Sequence, residues 1–169
     1  MKKTILILVA MLTMSAGTAL AQNYMVVDSE KIFKSIDAYN TAIEQVDADA
    51  EKYQKQVDDA FDQLETMFND YQNRKASMTA TERQQTEQRI VNRESEITKF
   101  QEEVFGDEGT IMKKRVELIK PIQDKVFAAI SKYAEQKGYD VVIDLASNPT
   151  VLYYKPSVNQ TEAIIALVK

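Results

Sequence analysis

The stretch that decides the fold is residues 34–105, KSIDAYNTAIEQVDADAEKYQKQVDDAFDQLETMFNDYQNRKASMTATERQQTEQRIVNRESEITKFQEEVF, which contains neither glycine nor proline. Both of these residues disfavour helix interiors, so a run of this length without them predicts one very long helix, or two helices joined by a tight turn. Helices of globular proteins average about three turns. The sequence therefore predicts a long, projecting helical element that cannot bury much surface by itself.

A seven-residue apolar repeat runs through this stretch, as in the seam of a coiled coil. In the first half, heptad position a is occupied by Ile43, Ala50, Val57, Leu64 and Tyr71, and position d by Val46, Tyr53, Ala60 and Met67. A second series with the same spacing follows: Ile90, Ile97, Val104, Ile111 and Leu118.

A turn is predicted between the two series, with its tip near residues 77–81. Thr79 and Glu82 have the spacing of a capping box, in which each side chain accepts a hydrogen bond from the backbone N–H of the other residue. If the chain folds back there, facing residues such as Met67 and Ile90 have numbers that add to 157. The midpoint of that sum lies inside the turn. The two signals together predict an antiparallel coiled-coil helical hairpin.

Three residues are expected to disturb the returning helix. Gly106 and Gly109 each lower helix stability by about 1 kcal/mol relative to alanine. Pro121 removes a backbone donor and is expected to kink or end the helix.

The two ends of the chain are predicted to form a small body. Residues 24–27 read as a short strand, followed by a helix that Asp28 or Ser29 caps. After a helix ending at Gly138, the sequence predicts strands over Tyr139 to Leu145 and Thr150 to Tyr154, joined as a hairpin, and then a terminal helix. The predicted class is α+β, mostly helical, with three short strands and the helical hairpin inserted between strands 1 and 2. We expect a body of residues 22–37 and 119–169 and an arm of residues 38–118.

The first 21 residues have the features of a signal peptide. Lys2 and Lys3 precede an apolar run over residues 5–12, and Ala19-Leu20-Ala21 is a small-residue cleavage signal. Cleavage is predicted near Ala21-Gln22. A retained membrane anchor is the alternative interpretation, although the residues that follow do not have a stop-transfer pattern.

Composition argues against several classes of function. The chain contains no cysteine and no histidine, so Ser-His-Asp triads, thiol nucleophiles and the usual zinc and haem sites are excluded. The net charge is −5, whereas nucleic-acid binding depends on a basic surface. We expect no enzyme activity, no cofactor, no metal and no nucleic-acid partner.

Four charged clusters are interpreted as solvated surface. The alternatives are a calcium site for the two acidic clusters of the arm, contact with anionic lipid or an acidic client for the basic cluster, and paired-carboxylate catalysis for the last. The clusters are Asp47, Asp49 and Glu51; Asp58, Asp59 and Asp62; Lys113, Lys114 and Arg115; and the strand-end carboxylates Asp28, Asp140 and Asp144.

Several segments in this order resemble the Skp/OmpH family of periplasmic holdase chaperones for outer-membrane proteins. They are DSEKIF at 28–33, PIQDKV at 121–126, GYDVVID at 138–144 and LYY at 152–154, together with the signal peptide and the long hairpin. The resemblance implies a periplasmic homotrimer in which the strands of three subunits form a β-barrel body. It also implies that the arms surround a cavity for unfolded outer-membrane proteins, with possible peripheral contact to the membrane.

The resemblance suggests two sets of residues. Client binding is expected at Phe61, Met67, Phe68, Tyr71, Met78 and Phe105. Oligomerisation is expected at Met25, Val27, Val142, Ile143, Leu145, Leu152 and Tyr153.

One feature departs from the family. Its well-known members have basic arms, whereas residues 40–72 hold nine acidic residues against Lys52 and Lys55. Client choice is therefore expected to depend more on apolar contact. The alternative function is a periplasmic coiled-coil spacer or adaptor that docks another envelope protein.

Overall fold

A computed structural model describes residues 23–169 of the chain. The predicted signal peptide, residues 1–21, lies outside the described residues. Among residues 23–169, none of the helices combines the length and the apolar character needed to cross a bilayer. The main elements, in chain order, are β1 (Tyr24–Val27), α1 (Ser29–Lys34), α2 (Asp37–Arg74), α3 (Ala80–Phe105), α4 (Thr110–Lys137), β2 (Val141–Asp144) and α5 (Thr161–Val168).

Helices α2 and α3 form the predicted helical hairpin. Helix α2 has 38 residues and is therefore about 57 Å long. A short 3₁₀ turn, Lys75–Ser77, ends it. The predicted capping box is present at the start of α3, where Glu82 Oε2 accepts a hydrogen bond from the Thr79 backbone N–H at 2.7 Å. The tip of the arm thus lies where the sequence predicts it.

Burial along the hairpin follows the predicted seam. From residue 51 to residue 72, the a and d positions of the heptad are buried or half-buried and the remaining positions are exposed. The same holds from residue 81 to residue 105, where the half-buried or buried positions are 86, 90, 93, 97, 100 and 104. Tyr53 packs edge-on against Phe100 across the seam, with ring centroids 6.2 Å apart. The apolar seam is confirmed, whereas the supercoil expected from a heptad repeat stays a prediction.

The returning helix is interrupted at the two glycines. Helix α3 ends at Phe105, and α4 begins at Thr110. A Cβ atom at Gly109 would lie 2.5 Å from the Val104 carbonyl oxygen, so this connection requires a residue without a side chain. The expectation that Pro121 could end the helix is wrong, because α4 continues through it. Ile119 and Val126 are buried on either side, and such packing stabilises a helix more than local propensity does.

The sheet contains two parallel strands within the described residues. Met25 lies opposite Val142, and Val27 lies opposite Asp144. The other edge of β1 meets the chain before α5, where the Gln160 backbone N–H donates to the Val26 carbonyl at 2.9 Å. The whole helical arm is thus the crossover between two neighbouring parallel strands, as the predicted insertion requires.

The third strand predicted at Thr150 to Tyr154 is not found. Residues 150–155 have no strand assignment, and the predicted hairpin with β2 is therefore wrong for the single chain. A strand needs a neighbouring strand for its backbone hydrogen bonds. Both edges of β1 are occupied, and residues 150–155 do not pair with the outer edge of β2 in this chain.

The body has one apolar core. Ten buried residues form it: Met25, Val27, Ile32, Phe33, Val126, Ile130, Ala134, Ile164, Ile165 and Val168. They come from β1, α1, the second half of α4, and α5, so both ends of the described chain contribute. The boundary between arm and body stays a proposal, since α4 crosses residues 118–119 without a break.

The Asp144 carboxylate ties the end of β2 to the start of α1. It accepts hydrogen bonds from the Ser29 backbone N–H at 3.0 Å and the Ser29 hydroxyl at 2.7 Å, and two more from Ala146 and Ser147. Burial acts to raise the pKa of Asp144, but the hydrogen bonds from Ser29 and its neighbours outweigh it and lower the pKa below the usual value. Asp144 is half-buried and structural, so the expectation of a solvated strand-end carboxylate is wrong for this residue.

Replacement of Asp144 should destabilise the body. We expect Asp144→Ala to reduce the free energy of unfolding at pH 7 by about 1–2 kcal/mol, because the donor groups of Ser29, Ala146 and Ser147 lose their charged acceptor. The same measurement by urea denaturation should show less than about 0.5 kcal/mol for Asp124→Ala, whose carboxylate is exposed.

The pH dependence follows from the lowered pKa of Asp144. Its stabilising contribution is present above the unfolded-state pKa of about 3.9 and is lost as the pH falls through the lower folded-state pKa. The difference between wild type and Asp144→Ala should therefore shrink below about pH 4. A constant difference between pH 7 and pH 3 would contradict this role.

Candidate functional site

The hairpin of α2 and α3 exposes four large apolar side chains outside its seam. Phe61 and Phe68 lie on α2 and are 41% and 47% exposed, and Val91 and Phe105 lie on α3 and are 56% and 37% exposed. A two-helix arm buries only one stripe of each helix, so such side chains have no core to enter. Exposed apolar groups that share one surface indicate a binding site more strongly than scattered ones do.

The heptad places these four side chains on the same side of the hairpin. At about 100° per residue, positions e and b lie on one flank of the seam and positions c and g on the other. With Val57 at position a of α2 and Ile97 at position a of α3, Phe61 and Phe68 are at e, and Val91 and Phe105 are at b. In an antiparallel pair the e positions of the two helices face each other. We call this side of the arm, positions e and b of residues 44–72 and 80–105, the apolar flank.

The opposite flank has a different composition. Positions c and g of the same two segments hold polar and charged residues, none of them an aromatic or large aliphatic residue. The exposed apolar surface of the hairpin outside its tip is therefore one-sided, and the arm has a distinct chemical face.

Three of the predicted client-binding residues belong to the interior of the tip instead. Tyr71 is 5% exposed, and its phenol donates a hydrogen bond to Glu87 on the facing helix. That bond to the Glu87 carboxylate raises the pKa of Tyr71. Met67 and Met78 are half-buried beside it, so in the folded arm these three side chains offer little surface to a client.

Sequence reasoning missed Val91. The residue directly follows the seam residue Ile90. The signal for it was its position b, on the same flank as the two phenylalanines.

A second apolar surface lies at the root of the arm. Met112 and Val116 of α4 are about half exposed and line a groove of about 280 Å³ with Tyr39 and Ile43 of α2. The basic cluster predicted nearby is divided between two roles: Lys114 forms an ion pair with Asp49 across the arm, and Arg115 lines the groove.

The acidic clusters of the arm are exposed helix surface apart from Asp49, which is half-buried. Asp49 pairs with Lys114, Asp59 pairs with Lys55 at 3.1 Å, and Asp58 accepts a hydrogen bond from Gln54. These contacts agree with the interpretation of the clusters as solvated helix surface.

The predicted oligomerisation residues fall into two groups. Met25 and Val27 are buried in the chain's own core, so neither has surface left for a partner. Val142, Ile143 and Leu145 are half-buried on or beside β2. Leu152 and Tyr153 are 94% and 80% exposed in the segment after β2.

A family model described as "Outer membrane protein (OmpH-like)" matches residues 23–168. This match confirms the resemblance noted from the sequence. No curated protein matches the chain.

The different positions of Tyr71 and Phe68 generate a prediction. Tyr71→Ala should loosen the tip, because it removes a buried ring and its bond to Glu87. Amide protection of residues 64–94, measured by hydrogen exchange, should fall about tenfold. Phe68→Ala removes an exposed ring and should leave this protection nearly unchanged. Equal effects of the two substitutions would contradict the assignment of Tyr71 to the interior.

Proposed function

We propose that this chain, which belongs to the OmpH-like family, is an ATP-independent holdase that keeps unfolded outer-membrane proteins from aggregating. The family consists of periplasmic chaperones for outer-membrane proteins and is not a family of enzymes, so membership supports a chaperone-like role. We further propose that residues 1–21 direct export and are cleaved near Ala21-Gln22.

The observation that carries this proposal is the apolar flank of the arm. Its four apolar side chains are spread along both helices, with Phe61 and Phe68 about 10 Å apart along α2. Each ring offers a small contact, so no single site binds strongly. Several weak contacts on one arm keep a flexible chain bound through a high effective concentration, while each contact exchanges rapidly.

Release is proposed to depend on the client. No G-x-x-x-x-G-K-[ST] phosphate loop occurs in the sequence. An unfolded chain that buries its own apolar residues on folding loses the groups that the arm binds. Folding of the client thus competes directly with holding.

We propose that three copies assemble through the body. Within the described residues β2 has no strand on its outer edge, and an uncovered edge is a template for pairing with another chain. Leu152 and Tyr153 lie in the segment that follows β2 and are 94% and 80% exposed. A neighbouring subunit's edge would supply the partner that the segment at 150–154 lacks in one chain.

An adaptor that docks a single helical partner fits this arm less well. A partner helix needs apolar contacts at every third or fourth residue. On α2 the exposed apolar residues of the flank are seven apart, and carboxylates lie between them.

Loss of the apolar flank should weaken holding. We expect the variant Phe61→Ser/Phe68→Ser/Val91→Ser to suppress aggregation of a urea-unfolded porin several-fold less well than wild type, because apolar contact area is lost. Light scattering of the diluted porin measures this effect. The control variant Gln45→Ser/Gln56→Ser/Asn92→Ser changes three exposed residues on the opposite flank and should hold the porin like wild type. Wild-type suppression by the flank variant would count against client contact at this surface.

The proposed assembly is tested at the exposed segment after β2. We expect Leu152→Ser/Tyr153→Ser to reduce the mass of the assembly, measured by multi-angle light scattering, from three chains toward one. Leu167→Ser alters an exposed leucine on α5 and should leave the mass unchanged. An unchanged mass in the double variant would remove this segment from the interface.

A further inference from the structure

The charges of the apolar flank all have one sign. On α2 its acidic residues are Glu44, Asp47, Glu51, Asp58 and Glu65. On α3 they are Glu87 and Glu94. Positions e and b of residues 44–72 and 80–105 contain no lysine and no arginine, and these carboxylates are exposed. The surface that presents the phenylalanines is therefore purely anionic.

The ion pairs of the arm lie on the other flank. Among the described residues, the arm's paired carboxylates are Asp49, Asp59, Glu96 and Glu103, which are all at positions c or g. Their partners are Lys99 on the same flank, Lys55 at the back of α2, Arg93 in the seam and Lys114 of α4. The two flanks thus differ in charge as well as in apolar content. The opposite flank contains basic residues and ion-paired carboxylates, whereas within the described residues the carboxylates of the apolar flank have no basic partner.

Apolar and acidic groups alternate along the flank at short intervals. Asp58, Phe61, Glu65 and Phe68 follow one another at three- and four-residue steps, which places a new group about every 5 Å along α2. Side chains on one face of an extended polypeptide are about 6.6 Å apart. An extended client segment can therefore place apolar and charged side chains against the flank in alternation.

We propose that the apolar flank selects unfolded segments in which every second residue is in turn basic (lysine or arginine) and then aromatic or aliphatic, so that both kinds of side chain lie on one face of the extended chain. This inference rests on the proposed holdase function and names its class of client. Basic side chains of such a segment meet unpaired carboxylates, and its apolar side chains meet Phe61, Phe68, Val91 and Phe105. An acidic segment with the same apolar content is repelled by the same surface.

The test uses the full mature protein and three synthetic peptides of about 20 residues with aromatic or aliphatic residues at the same positions, four residues apart. The position midway between two of them lies on the same face of an extended chain and holds lysine in one peptide, glutamate in the second and glutamine in the third, and the remaining positions hold serine in all three. Fluorescence anisotropy with an uncharged dye measures binding. In about 20 mM salt we expect the lysine peptide to bind at least about tenfold more tightly than the glutamate peptide, and in about 300 mM salt this ratio should fall several-fold, because exposed charges are screened.

Two charge-matched variants locate the effect. Glu51→Gln/Asp58→Asn/Glu65→Gln removes three carboxylates from the apolar flank, and Asp59→Asn/Glu96→Gln/Glu103→Gln removes three from the opposite flank. The first variant should lose most of the lysine preference, by about three- to tenfold, and the second should keep it. A further lysine peptide with serine at the apolar positions should bind wild type several-fold more weakly.

Several results would overturn the inference. Equal binding of the lysine and glutamate peptides would refute it. An equal loss of the lysine preference in the two variants would also refute it, because the preference would then depend only on the net charge of the protein. Unchanged binding of the serine-substituted peptide would show that the flank binds through its carboxylates alone, without apolar contact. A change in the mass of the assembly in the first variant would make the flank a contact between copies.

The inference and the holdase function can fail separately. If wild type suppresses porin aggregation but shows no preference for the lysine peptide, only the client class is wrong. If wild type does not suppress aggregation at all, the holdase function fails whatever the peptides show.

Discussion

The arm depends on one narrow seam, because two helices lying side by side can bury only the stripe where they meet. Apolar residues occupy this stripe from Val46 to Tyr71, and α3 supplies Ile97 and Val104 from the other side. The seam is interrupted at Arg93, a half-buried residue whose guanidinium donates to Gln63 at 3.4 Å. Since the seam takes up the buried surface of these two helices, every other position over residues 51–72 and 81–105 is exposed and is free to carry function.

The body brings the two ends of the described chain together at the base of that arm. Strands β1 and β2 are adjacent and parallel although the whole arm separates them in sequence. Asp144 links the end of β2 to α1, and the backbone N–H of Asp28 donates to the buried Thr161 of α5 at 2.9 Å. These polar contacts between remote segments set the directions of the elements, while the apolar core supplies most of the stability.

We propose that the body and the arm have separate roles, assembly for the body and client binding for the arm. The body fixes the arm and leaves a strand edge and two exposed side chains for assembly, and the arm presents an apolar, acidic face to a flexible chain. Such a surface needs no moving part and no nucleotide, because its binding energy comes from many weak contacts. The acidic character of this face differs from the basic arms that the family resemblance implies.

The sequence by itself determined the arm: the seam, the capping box at Thr79 and the reversal of the chain near Met78 all follow from local periodicity and short-range hydrogen bonds. It also indicated Phe61 and Phe68 as exposed, because they lie beside the seam and not in it. Only the tertiary structure decided that β1 and β2 are parallel and that Met25 and Val27 belong to the chain's own core. Those facts depend on which remote segments meet, and a repeat within one helix carries no information about a partner more than one hundred residues away.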